Sequence, residues 1–194
     1  MLDAASELAR LAADAPLSAI LVAAPVFFLV SAACSDAYRF IIPNWCGLGL
    51  VVGWLAAWAV SPLGWGALFS HGIVFLVALV CSVLLFELGV WGGGDAKLAP
   101  AGLLWVGWPA ALEALLVMSY VSIALALMVL GVRLVRRRRP APARAPDAPP
   151  SETEGIERET HAPYGLAIAA GCLWMLAQAP VVAALAPDLS AALR

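Results

Sequence analysis

Residues 40 to 86 read FIIPNWCGLGLVVGWLAAWAVSPLGWGALFSHGIVFLVALVCSVLLF, without one Asp, Glu, Lys or Arg. A helix that crosses a bilayer needs roughly 20 mostly apolar residues. This run is long enough for two, with SPLGWG (Ser61 to Gly66) as the turn between them. Working outward, Ala15 to Ser35, Leu98 to Leu112, Ala114 to Val132 and Thr160 to Pro187 are further apolar runs. Together they predict an all-α polytopic membrane protein with about six transmembrane helices, near 17–35, 45–60, 68–88, 97–110, 112–131 and 164–186. The composition agrees, since 63% of the 194 residues are hydrophobic and only 12% charged. Residues 1–194 read as one membrane-embedded domain.

The stretch KLAPAGLLWVGWPA (Lys97 to Ala110) is short and contains Pro100, yet the charges argue for keeping it as a span. Lys and Arg collect in cytoplasmic loops. With six alternating spans and both termini outside, the inside loops are 36–44, 89–97 and 132–163. They hold nine of the eleven basic residues, namely Arg39, Lys97, Arg133, Arg136 to Arg139, Arg144 and Arg158. Removing the fourth span would put the arginine cluster on the opposite side from Arg39 and Lys97. The residues ahead of the first span set Asp3, Glu7 and Asp14 against Arg10, the wrong bias for an export signal.

Residues 133–163, RLVRRRRPAPARAPDAPPSETEGIERETHAP, pass from basic to Pro/Ala-rich to acidic. Such a composition buries too little apolar surface to fold alone and predicts a flexible cytoplasmic loop. Cys34, Cys46, Cys81 and Cys172 lie far apart, and His71 and His161 are the two histidines, so no metal site or disulfide framework is expected. His71 opens the third span and is expected at the outer interface. Neither a phosphate-binding loop nor a nucleic-acid module is present, and the expected partners are membrane lipid and whatever the site acts on.

Two acids stand out. Asp36 follows the first span in CSDAYRFIIPN, and Asp95 follows the third in WGGGDAK. The topology puts both at the cytoplasmic boundary. Two carboxyl groups brought together do not both ionise easily, so the pair can activate a water and protonate a leaving amide nitrogen. Gly92, Gly93 and Gly94 permit unusual backbone angles and close approach. Lys97 suits anchoring to headgroups. The plainer alternatives are that Asp36 is a polar stop and Asp95 a helix cap.

DAYRFIIPN followed two spans later by GGGDAKL resembles the type IV prepilin peptidases, polytopic aspartyl proteases of the bacterial inner membrane. APYGLAIAAG (Ala162 to Gly171) is similar to the opening of that family's last helix. The resemblance implies Asp36 and Asp95 as the catalytic pair, Gly92 and Gly94 as motif glycines with Gly93 between them, and Lys97 as the motif lysine. Pro43 and Asn44 look like the start of the second helix, with the asparagine able to cap it. The chain lacks the paired C-x-x-C region of longer members, so it looks like the compact peptidase-only form found with tight-adherence (Flp-type) pili, without N-methylation.

The implied reaction is hydrolysis of one bond in a prepilin that carries a short basic leader ahead of a hydrophobic helix, with no cofactor and no metal. The rivals are a related GxGD protease with another substrate, and a non-catalytic carrier or pilus-assembly scaffold. A carrier would place its carboxylates nearer mid-bilayer.

Overall fold

The computed structural model describes residues 2–108, 110–138, 164–176 and 178–186. Among them the secondary structure is all helical: α1 (Leu2–Arg39), α2 (Asn44–Val60), α3 (Trp65–Glu87), α4 (Asp95–Val106), α5 (Ala110–Arg138), α6 (Tyr164–Leu176) and α7 (Pro180–Leu185). Three stretches are long and apolar enough to cross a membrane: Leu17–Arg39 of α1, α3, and Ala110–Val132 of α5. α2 and α6 are apolar but shorter. The long helices present Phe27, Phe69, Leu76, Leu116 and Leu127 outward. Apolar surface on that scale belongs in lipid, which makes this a membrane protein.

The chain connections follow from their residues. α1 ends at Phe40, which takes a left-handed φ of 53° and donates its N–H to the Asp36 carbonyl at 2.9 Å. Glycine usually fills that closing position, and a larger residue there costs roughly 1–2 kcal/mol. The Ser35 hydroxyl donates to the Ile41 carbonyl at 2.7 Å and holds the reversal. Pro43 then sets φ at −65° immediately before α2. α2 stops at Ser61, which is extended because Pro62 follows. The Ser61 hydroxyl and the Trp58 indole close the turn by donating to the carbonyls of Trp58 and Gly64.

α4 is the core of the molecule. Every one of its residues is buried except Lys97, and it packs on α2, α3, α5 and α6. Trp105 ties it to α2, its indole N–H donating to the Leu50 carbonyl at 2.8 Å. With 12 residues it is about 18 Å long, well short of a hydrocarbon core of roughly 30 Å. Gly107, at a φ of 69°, ends it.

Three expectations gain or change detail. His71, expected at the outer interface, is covered by the protein: its Nδ1 donates to the Leu104 carbonyl at 2.7 Å, satisfying one of the unpaired carbonyls at the α4 C-terminus, and its ring lies 5.1 Å from that of Trp54. The stretch expected as one helix near 164–186 is two, since Ala179 is extended ahead of Pro180, which opens α7. The segment expected to be a flexible loop from 133 begins helical, because α5 runs on to Arg138. Residues 139–163, with His161 and the rest of that loop, lie outside the described residues.

Candidate active site

Asp36 occupies the last turn of α1 and Asp95 opens α4. The two carboxylates, far apart in sequence, line one recess of about 200 Å³, together with Phe40, Ile41, Ile42 and Gly92 to Gly94. They are 7% and 8% exposed, so the protein covers both nearly completely. Its apolar edge is open: Phe40 and Ile41 line the recess and are exposed.

Asp36 is held by α6. Its Oδ2 accepts the Gly165 N–H at 2.8 Å, and the Leu166 amide also reaches the carboxylate. These amides belong to the first turn of a helix, where backbone donors lack intrahelical partners and the helix dipole favours negative charge. Residue 165 must be glycine for this contact. A Cβ there would lie 2.8 Å from Asp36 Oδ2 and 2.8 Å from the Ile42 side chain. Asp95 is held more locally, its Oδ2 accepting the Gly92 N–H at 3.3 Å.

The glycine run works by closeness, not by unusual angles. The positive-φ glycines among the described residues are Gly89 and Gly107, and Gly94 is helical at φ −70°. A Cβ on Gly94 would meet that of Ile42 at 2.9 Å, and one on Gly92 would come within 3.2 Å of Asp95 Oδ2. The α3–α4 turn can therefore press against the α1–α2 loop, and this contact brings the two aspartates to the same recess.

Lys97 and Asn44 depart from expectation together. No side chain caps α2, and Pro43 occupies the cap position. The Asn44 side chain instead accepts a hydrogen bond from Lys97 Nζ at 3.0 Å, linking the starts of α2 and α4. Asp95 is likewise not a cap, since Gly94 precedes the helix in that role. Among the described residues no group of three or more His, Cys, Asp or Glu is placed to hold a metal ion.

Two carboxyl groups facing one recess are the kind of equipment that can activate a water and protonate a leaving amide nitrogen. The type IV leader peptidase family matches residues 23–130 of the chain. The chain belongs to that family. No curated protein and no solved structure matches it. In this type IV leader peptidase family member the matched stretch runs from α1 into α5 and so contains both aspartates, the glycine turn, Lys97 and Asn44. Its family is one of aspartic-type peptidases. Gly165 lies beyond the match, yet it makes the shortest hydrogen bond to either carboxylate among those described above. In the sequence Tyr164-Gly165 stands within APYGLAIAAG, a stretch whose resemblance implies a helix start and no further role. The available signal was a glycine in the first turn of a helix, where no turn requires one.

Proposed function

We propose that the protein is a membrane aspartyl endopeptidase that removes the short basic leader from Flp-type prepilins at the cytoplasmic face of the bacterial inner membrane. Asp36 and Asp95 are its catalytic pair. The observation that carries this reading is the single recess shared by the two carboxylates at the ends of α1 and α4. One carboxylate takes a proton from a water as it attacks the scissile carbonyl carbon. The other, protonated, gives its proton to the amide nitrogen as the C–N bond breaks. No cofactor or metal enters these steps.

The placement of charge supports a cytoplasmic site within a six-span arrangement. Arg39 closes α1 and Lys97 lies in the first turn of α4, both beside the aspartates. α6 begins against Asp36, and α5, which starts past the opposite end of α4, closes on the basic residues Arg136 to Arg138. Basic residues gathered there fit the side that retains Lys and Arg. A buried acid pair at helix ends also suits a scissile bond just outside a hydrophobic helix better than it suits a carrier.

The test is co-expression with a Flp-type prepilin, following leader loss by gel shift and mass spectrometry. The wild type is expected to cut once, between the basic leader and the hydrophobic helix. Asp36→Ala and Asp95→Ala are each expected to abolish cutting while still accumulating in the membrane. Cleavage that survives either substitution in a well-expressed protein refutes the assignment.

A further inference from the structure

A groove of about 340 Å³ runs beside α4. Its floor includes Ala99 and Leu103 of α4, one wall Ala78 and Ser82 of α3, and the other wall Leu112 and Leu115 of α5. Trp91 and Trp108, which lie just beyond the two ends of α4, also line it. The groove thus follows α4 for roughly its whole length, about 18 Å.

Two observations indicate what fits there. Trp91 lines the groove and its chain neighbour Gly92 lines the aspartate recess, so one hollow ends where the other begins. Ala78 and Ser82 stand one turn apart on the wall of α3, and short side chains at that spacing let another helix backbone come near.

We propose that this groove seats the apolar helix of the substrate, the segment that follows the scissile bond. The inference rests on the prepilin endopeptidase reading. A helix lying along α4 ends at Trp91, and the chain leading into it crosses Gly92 to Gly94. A helical peptide bond is shielded within its own turn, so the bond to be cut must be unwound. The recess that Gly92 to Gly94 line together with Asp36 and Asp95 is where that extended backbone would lie.

The test has two arms in the full chain, in membranes. In the first, a benzophenone side chain replaces Leu112, or Leu55 of α2 as an outward control, in the Asp36→Asn protein co-expressed with a Flp-type prepilin. The expected result is a covalent adduct with the prepilin from position 112 and not from 55. Adducts from 112 with lipid or a second copy alone, or equal prepilin adducts from both positions, overturn the proposal. In the second, Ala78→Trp fills the groove. Cleavage of the intact prepilin should fall at least tenfold, while a synthetic peptide with the leader and scissile bond but no apolar helix is cut as before. An undiminished rate on the intact prepilin, or an equal fall on both substrates, overturns the proposal. Wild-type protein that cuts neither substrate counts against the peptidase reading, and the adduct pattern, which needs no turnover, still decides the groove.

Discussion

The Gly165 amide donates to Asp36 Oδ2 at 2.8 Å across 129 positions of sequence, so the start of α6 sets where the α1 carboxylate points. Gly165→Ala places a methyl within 2.8 Å of that oxygen. A displacement of about 1 Å at a reacting group can cost roughly 100-fold in rate. Gly165→Ala is therefore expected to slow prepilin cleavage by one to two orders of magnitude with near-normal accumulation in the membrane. Gly72→Ala, where an added Cβ meets nothing, is the matched control and should cut at the wild-type rate.

Lys97 and Asn44 act as one unit. Each of Lys97→Met and Asn44→Ala removes the same 3.0 Å hydrogen bond between α4 and α2. Because Lys97 is exposed, the effect on stability should be slight, below about 1 kcal/mol. Cleavage should fall several-fold in either variant and no further in the double variant. Rates that multiply in the double variant would show the two side chains acting separately.

The left-handed Phe40 offers a test of backbone strain beside the site. Phe40→Gly relieves the steric cost but adds chain entropy, so a melting temperature at or slightly above that of the wild type is expected. Phe40→Val puts a β-branched residue in the same conformation, where it is a genuine outlier. It should lower the melting temperature and reduce cleavage, because Asp36 accepts the Phe40 amide through its own carbonyl. Equal melting of the two variants would show that the loop relaxes out of this conformation.

His71 sits at the opposite end of α4 from Asp95. His71→Phe keeps a ring beside Trp54 but leaves the Leu104 carbonyl without its 2.7 Å donor. Stranding a buried acceptor costs roughly 1–3 kcal/mol. A lower unfolding midpoint in detergent is expected, with the cleavage rate of the folded fraction unchanged. A fall in that rate would show that the far end of α4 governs the aspartates.

Much of this was legible in the sequence, for physical reasons that differ by element. Charge-free runs expose the long helices, because lipid imposes composition over some 20 residues. The aspartates were conspicuous because acids are scarce beside such runs. Their meeting was not derivable from spacing, since it depends on Gly94 pressing on Ile42 and on α6 reaching Asp36. The burial of His71 was not derivable for the same reason. A histidine opening an apolar helix is read as facing water, and only the packing of α4 supplies the carbonyl that it serves. Asn44 has the right residue type for a helix cap, but Pro43 fills that position and Lys97 takes up the side chain.

The exposed apolar edge that Phe40 and Ile41 give the recess has a kinetic corollary. An entrance edged with such side chains is reached by lateral diffusion within the bilayer more readily than from bulk water. Turnover should therefore scale with the mole fraction of substrate in the membrane. Adding inert lipid at constant amounts of enzyme and substrate should slow the reaction by surface dilution, while enlarging the aqueous volume leaves it unchanged.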